Sequence, residues 1–203
     1  MIAILDYGVG NLFSLSSSLR SLGQEPVVSS DPRLLDAANR FILPGVGAFA
    51  DAAQKLRDAG LDGWIKEKVK AGSPLLGICL GMQLLFDVSY EFGEHPGLGL
   101  IPGKVVPMRG VVPDEYKVPH IGWNALDFTG KASPLFRYIQ NRDHVYFVHS
   151  YYASDCGESV IATTEYGAVL TAAVQLDNVY GCQFHPEKSG RVGLNILKAF
   201  CEL

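Results

Sequence analysis

The stretch from Pro74 to Phe86, PLLGICLGMQLLF, constrains the fold more than any other part of the chain. Residues 74–78 are mostly branched and apolar and predict a short buried strand, whereas residues 80–86 have the composition of an amphipathic helix. Cys79 lies in the turn between them, with a glycine two positions before it and another two positions after it. Glycine removes the side chains that would collide where such a helix passes its strand. The pattern predicts a nucleophile elbow with cysteine in place of serine.

A cysteine in this position is predicted to be reactive. The start of the following helix favours the thiolate, and the backbone N–H of Leu80 would be free to bind a developing oxyanion. The same G-x-C-x-G pattern also occurs where a small buried cysteine only lets a strand and a helix pack closely. A functional interpretation therefore needs partner residues elsewhere in the chain.

Length and composition indicate a single globular domain that spans residues 1–203. The chain is 48% hydrophobic and 19% charged, and a net charge of −4 gives no electrostatic reason to expect nucleic acid or a membrane as partner. The four cysteines form no C-x-x-C pair and no regular disulfide spacing, and the N-terminus has no export signal. We expect a cytoplasmic protein.

Strand and helix patterns alternate through the first half of the chain. The predicted strands there are 2–6, 26–28, 40–43 and 74–78, and the predicted helices are 12–22, a short one capped by Asp31-Pro32, 49–60 and 61–71. This alternation predicts a doubly wound, mostly parallel α/β sheet with flanking helices.

The second half of the chain changes character. Residues 97–123 are rich in Gly, Pro and Val and predict an antiparallel excursion from the main sheet. The later predictions are strands at 144–149, 160–164, 172–176 and 179–184, a short helix at 133–139 and a closing helix at 191–202.

A cysteine nucleophile needs a histidine that exchanges protons with it. Four of the five histidines have the context of ordinary surface or core residues, whereas His185 ends an apolar strand, where ligand sites form in open α/β sheets. Glu187 follows two positions later and would orient the imidazole if this segment is extended. The alternatives are a plain polar loop, or a half zinc site made by Cys182 and His185. The zinc interpretation is weak because no second ligand pair has matching spacing.

The elbow and the later Phe184-His185-Pro186-Glu187 stretch resemble the signature of class I, triad-type glutamine amidotransferases. The resemblance implies that Cys79 attacks the carboxamide carbon of glutamine, that ammonia leaves, and that a glutamyl thioester is hydrolysed. It assigns His185 as general base and acid and Glu187 as the orienting carboxylate. No cofactor and no metal are predicted.

Five stretches sharpen the resemblance within that family: LDYGVGNLFS (5–14), LPGVGAF (43–49), PHIGWN (119–124), YFVHSYY (146–152) and FHPEKS (184–189). Together they are similar to the glutaminase subunits of imidazole glycerol phosphate synthases, which serve histidine biosynthesis. The resemblance implies a heterodimer with a (β/α)₈-barrel cyclase subunit. That partner would use the ammonia to make imidazole glycerol phosphate and aminoimidazole carboxamide ribonucleotide.

The same resemblance assigns further residues. Glu91 would bind the substrate ammonium, Gln83 the backbone groups of glutamine, and the backbone of Ser150 and Tyr151 the substrate carboxylate. Gln83 is otherwise a polar helix position, and the two later side chains are otherwise structural. The remaining assignments are Gly47 for substrate, Val46 and Leu80 for the oxyanion hole, and Asn11, His120, Trp123 and Lys188 for the partner interface.

The order Pro44-Gly45-Val46-Gly47 departs from that of many relatives, which have a second glycine after the first. If the Val46 N–H reaches the oxyanion only through a flipped peptide, a β-branched residue would resist that conformation by roughly 1 to 3 kcal/mol. We therefore hypothesise a slow resting enzyme that ligand on the synthase subunit activates. Three alternatives remain from the sequence: the glutaminase of another synthase, such as the pyridoxal phosphate one, a silent binding module, or a cysteine hydrolase of other substrates.

Overall fold

A computed structural model of the chain describes all residues from 1 to 203. The helices are α1 (Leu12–Ser21), α2 (Pro32–Leu35), α3 (Phe49–Asp58), α4 (Leu61–Lys70), α5 (Leu80–Gln83) and α6 (Gly190–Cys201). The first seven strands are β1 (Ile2–Leu5), β2 (Val27–Ser29), β3 (Arg40–Leu43), β4 (Leu75–Ile78), β5 (Phe86–Ser89), β6 (His95–Pro96) and β7 (Ile101–Pro107). The others are β8 (His120–Ala125), β9 (Asp127–Phe128), β10 (His144–His149), β11 (Tyr151–Ser154), β12 (Val160–Glu165), β13 (Val169–Leu176) and β14 (Val179–Cys182). No helix combines the length and the apolar character that crossing a membrane requires.

The main sheet has eight strands in the order β2-β1-β3-β4-β14-β13-β12-β9. The five from β2 to β14 pair in parallel, and the three that follow pair antiparallel. The predicted doubly wound, mostly parallel α/β sheet is therefore confirmed. The carboxyl ends of β1, β3, β4 and β14 meet at one edge of this sheet, where ligand sites form in such folds.

Apolar side chains cover both faces of the main sheet. Along β1, Ala3 and Leu5 join one buried cluster while Ile2 and Ile4 join another. Since neighbouring residues of a strand point to opposite faces, a strand buried on both sides is apolar throughout, which explains why β1 and β4 have no polar alternation.

The excursion that was predicted to be antiparallel consists of two small sheets, and one of them is mixed because β5 pairs with β7 in parallel. One has four strands in the order β11-β7-β5-β6, and the other pairs β10 with β8. The helix predicted for residues 80–86 is too long, because α5 ends at Gln83 and Phe86 already begins β5. The predicted helix at 133–139 reduces to one 3₁₀ turn, Pro134–Phe136, and β5, β6, β9 and β11 were not predicted at all.

Candidate active site

Cys79 sits on a sharp turn between β4 and α5. Its backbone angles are φ 54° and ψ −111°, a region that residues other than glycine rarely adopt. The turn exists only because the flanking glycines allow it: a Cβ on Gly81 would lie 1.9 Å from the Leu43 carbonyl oxygen, and a Cβ on Gly77 would lie 2.6 Å from the Gly81 carbonyl oxygen. The predicted elbow is confirmed. Because α5 is a single turn, its dipole is weaker than that of the longer predicted helix.

His185 and Glu187 form a buried pair beside the elbow. The His185 Nδ1 lies 2.8 Å from a Glu187 carboxylate oxygen, and the two side chains are 2% and 3% exposed. The pair forms through a 3₁₀ turn at Pro186–Lys188, and not through the extended segment that the sequence analysis assumed. Ser189 fixes this turn, because its hydroxyl donates to the His185 carbonyl oxygen at 2.6 Å and accepts the Tyr146 N–H at 2.9 Å.

The charges around His185 favour its protonated form. Burial by itself lowers the pKa of His185, but the neighbouring Cys79 sulfur and Glu187 carboxylate outweigh it and raise the pKa from 6.5 to about 9. The His185 Nε2 has no hydrogen-bond partner in this state, so it does not donate to the Cys79 sulfur here. Catalytic hydrogen bonds are often long or misaligned without substrate and form fully when substrate binds.

A cavity of about 510 Å³ opens above Cys79. Cys79 and His185 line it, together with every residue that the sequence analysis assigned to substrate or oxyanion binding: Val46, Gly47, Leu80, Gln83, Glu91, Ser150 and Tyr151. Glu187 lies behind His185 and faces a second, much smaller cavity that Asn11 also lines. Residues from five distant parts of the chain therefore converge on one pocket of a size that suits a small molecule.

Two of these pocket residues already have protein partners. A Glu91 carboxylate oxygen accepts the Phe49 N–H at 2.5 Å and so caps the start of α3, which has no other side-chain cap. Gln83 donates from its Nε2 to the Tyr151 carbonyl oxygen at 3.1 Å and to the Gln183 Oε1 at 3.0 Å. Only the acceptor oxygen of the Gln83 amide is left for a ligand.

The segment after β3 blocks one expected oxyanion donor. The Leu80 N–H, which the sequence analysis took as free, donates to the Gly45 carbonyl oxygen at 3.3 Å. The next carbonyl back, on Pro44, accepts the buried Tyr7 hydroxyl at 2.6 Å. In this state the Gly45 carbonyl occupies the donor that an oxyanion would need.

Comparison with known proteins identifies the family. The family model for class I glutamine amidotransferases matches residues 3–202. The chain belongs to the class I glutamine amidotransferases. Within them it is 51% identical over 206 residues to the "imidazole glycerol phosphate synthase subunit HisH" of Geobacillus sp. strain WCH70, covering 100% of this chain and 97% of that protein. The protein of the same name from Geobacillus thermodenitrificans strain NG80-2 is 52% identical, with 98% and 94% covered.

A solved glutamine amidotransferase structure has the same fold. It superposes with a TM-score of 0.77 over 99% of this chain and 97% of its own, at 22% identity.

The residues assigned to a partner interface lie at different depths in this amidotransferase. Trp123 is 55% exposed on β8, Asn11 is partly exposed where it caps α1, and Lys188 lines the mouth of the cavity. His120 is only 2% exposed. Its side chain points inward, opposite to its exposed neighbour Ile121, so the ring is buried in the chain by itself.

Sequence reasoning missed several residues in or beside this amidotransferase's pocket, among them Gln183, Phe92 and His149. Gln183 donates to the Cys79 sulfur at 3.8 Å, and its place one residue after β14, two before His185, was the signal available. Phe92 adjoins Glu91 and lines the cavity, with φ 54° and a side chain that is 88% exposed. His149 also lines the cavity, although in the sequence it only ends a strand.

Proposed function

We propose that this chain is the glutaminase subunit of an imidazole glycerol phosphate synthase. It hydrolyses glutamine to glutamate and ammonia and delivers the ammonia to a cyclase subunit in histidine biosynthesis. The observation that carries the proposal is that Cys79 and His185 line one pocket, with Glu187 bonded behind His185, in a chain half identical to proteins of that name. A silent binding module would have no need of this arrangement.

The chemistry follows from the triad. The Cys79 thiolate attacks the carboxamide carbon of glutamine, and the oxygen becomes an oxyanion. When the C–N bond breaks, His185 gives its Nε2 proton to the leaving amine, and ammonia and a glutamyl thioester result. Neutral His185 then takes a proton from water, which attacks the thioester and releases glutamate and the thiolate. Glu187 holds the Nδ1–H and stabilises the imidazolium.

The Gly45–Val46 peptide would complete the oxyanion hole by turning over. Its carbonyl now accepts the Leu80 N–H. One rotation of this peptide would release the Leu80 N–H and aim the Val46 N–H into the pocket, so both donors would appear together. We propose that ligand on the partner subunit favours the rotated state, so that glutamine is consumed only when ammonia is needed.

Substrate binding would use the rest of the cavity wall. The Glu91 carboxylate has the charge that an α-ammonium group needs, and the Gln83 oxygen is an acceptor for the same end of glutamine. The backbones of Ser150 and Tyr151, with Gly47, would face the α-carboxylate. All five residues line the cavity that contains Cys79, which supports these roles.

The partner would dock on the side of the molecule that carries Asn11, Trp123 and Lys188. Phe13 and Ile121, which are 82% and 59% exposed, add apolar surface close in sequence to the first two. We propose a (β/α)₈-barrel cyclase as this partner, in a heterodimer that channels ammonia. We further propose that residues 1–203 work as one amidotransferase domain in the cytoplasm, where the four free thiols stay reduced.

An ammonia assay tests the function. The chain is mixed with glutamine, alone and with the cyclase partner loaded with its nucleotide, and ammonia and glutamate are measured. We expect turnover that the loaded partner increases, and none for Cys79→Ala. Cys201→Ala is the matched control, since Cys201 lies on α6, outside the pocket, and this variant should keep full activity. Absence of ammonia under every condition would refute the proposal.

A further inference from the structure

Two buried histidines connect strand β8 to the wall of the active-site cavity. The His120 Nδ1 lies 3.2 Å from the His149 Nε2, and the His149 Nδ1 lies 2.9 Å from the Tyr151 carbonyl oxygen. The two residues are 2% and 6% exposed. The result is a continuous row of hydrogen bonds that ends on the segment proposed to bind the glutamine carboxylate.

The carbonyl oxygen at the end of this row determines which ring nitrogens carry a hydrogen. A carbonyl oxygen only accepts, so the His149 Nδ1 must carry a hydrogen and donate it to Tyr151. Burial lowers the pKa of His149 to about 4 and that of His120 likewise to about 4, so both rings are neutral at pH 7. A neutral ring has one bare nitrogen, so the His149 Nε2 accepts and the His120 Nδ1 donates to it.

Packing fixes the ring that begins the row. His120 is stacked against Phe147 on one side and Tyr166 on another, with ring centroids 4.9 and 4.0 Å away and planes within 20° and 21° of parallel. The two stacks hold the plane of the His120 ring. Within that plane only the observed orientation points Nδ1 at the His149 Nε2, because the orientation turned by 180° would place a carbon there and lose the hydrogen bond.

Hydrogen bonds to the Tyr151 carbonyl connect this row of histidines to the residues around the nucleophile. It accepts His149 from one side and the Gln83 Nε2 from the other. Gln83 lies on α5, the turn of helix that Cys79 opens, and it also binds Gln183, which donates to the Cys79 sulfur. The position of the Tyr151 backbone is thus fixed relative to Cys79 by buried polar contacts on both sides.

We propose that His120 is a positioning residue for glutamine binding. It holds His149 in the tautomer with hydrogen on Nδ1, and His149 in turn holds the Tyr151 backbone where the substrate carboxylate is bound. This inference rests on the proposed function. Without the His120 donor, His149 is free to adopt the other tautomer, which cannot donate to the Tyr151 carbonyl.

Two substitutions separate this role from packing. His120→Phe keeps the aromatic stack and loses the donor, whereas His120→Asn loses the ring and keeps an N–H close to the position of Nδ1. In the complex with the loaded cyclase partner, we expect His120→Phe to raise the KM for glutamine roughly two- to tenfold, as for one lost hydrogen bond, with kcat within twofold. His120→Asn should stay close to wild type. The opposite order, or equal changes in both variants, would assign His120 a packing role and overturn the proposal.

A second measurement does not depend on turnover. Nitrogen NMR of ¹⁵N-histidine-labelled wild-type protein should show the hydrogen on Nδ1 and a bare Nε2 for both His120 and His149, from pH 6 to pH 8. Hydrogen on the His149 Nε2 would overturn the proposal even if His120→Phe failed to fold. If the wild-type complex makes no ammonia at all, the proposed function fails, and the NMR result still decides the tautomers.

Discussion

Replacing Val46 with glycine tests how the resting enzyme is kept slow. Turning over the Gly45–Val46 peptide rotates φ of Val46 by about half a turn, from its present negative value to a positive one, which a β-branched residue adopts only with strain. Glycine adopts positive φ freely. Val46→Gly should therefore populate the oxyanion-binding state in the free subunit.

The size of the effect follows from two terms. Rotation breaks the bond from the Leu80 N–H to the Gly45 carbonyl in wild type and variant alike, so that loss cancels in the comparison. The strain at Val46 does not cancel, and it amounts to about 1 to 3 kcal/mol. Its removal should raise the basal glutaminase rate roughly five- to 150-fold and reduce the stimulation by partner ligand in proportion.

Steady-state ammonia release, measured with the free subunit and with the loaded complex, checks this prediction. Val46→Thr is the matched control, because threonine has the same shape and the same branching and should keep the slow basal rate. Since Val46 is 42% exposed, neither substitution creates a buried cavity. A basal rate in Val46→Gly equal to that of Val46→Thr would refute the peptide rotation as the source of the slow resting state.

Three further predictions concern the triad and its elbow. The pKa of His185 is about 9 in the folded protein, above its ordinary value of 6.5. Its stabilisation of the fold is therefore complete below pH 6.5 and is lost as pH rises through about 9. Glu187→Gln should lower that pKa and flatten the pH dependence of the unfolding free energy in this window. Gly81→Ala, whose Cβ would meet the Leu43 carbonyl, should lower the unfolding free energy by about 3 kcal/mol or more in denaturant titrations. Iodoacetamide at pH 7 should label one thiol per chain, Cys79, by mass spectrometry.

Each of these has a control. An unchanged pH slope in Glu187→Gln would mean that the carboxylate does not stabilise the imidazolium. Gly63→Ala, on α4 with open space around the added methyl, should be neutral or stabilising, and equal losses at both glycines would contradict the elbow argument. Burial raises the pKa of the thiols of Cys156, Cys182 and Cys201, so rapid labelling of any of them would show that burial does not protect it.

The sequence predicted best where one physical requirement decides the structure. Strands β1 and β4, and β3 after Arg40, are apolar throughout because the sheet is buried on both faces, and they were recognised within a residue or two. The elbow was equally visible, since only glycine tolerates the approach of 1.9 Å between the position of a Gly81 Cβ and the Leu43 carbonyl.

Prediction failed where distant contacts decide. Phe86 was assigned to a helix because a short apolar run fits helix and strand equally, but the residues from Phe86 pair with β7 and form a strand. The two residues of β9 have no strand signal of their own and are ordered by pairing with β12. Pairing with strands distant in sequence stabilises these segments as strands, although their local sequence does not favour a strand.

The side-chain pattern along β8 is the reverse of the usual one. A half-buried strand normally turns apolar side chains inward, yet here Ile121 and Trp123 are exposed and His120 is buried. The inverted pattern has two separate causes: the outward residues lie on the proposed partner face, and the inward histidine belongs to a hydrogen-bonded row. Neither cause is visible in the order of the residues alone.

The strained backbone of Cys79 lowers the stability of the fold and at the same time holds the nucleophile in place. A residue with a side chain held at φ 54° and ψ −111° costs about 1 to 3 kcal/mol, and glycine would remove that cost along with the sulfur. A laboratory selection for heat tolerance alone would therefore reward loss of the nucleophile. Any effort to make this protein more robust has to select for turnover and melting temperature together.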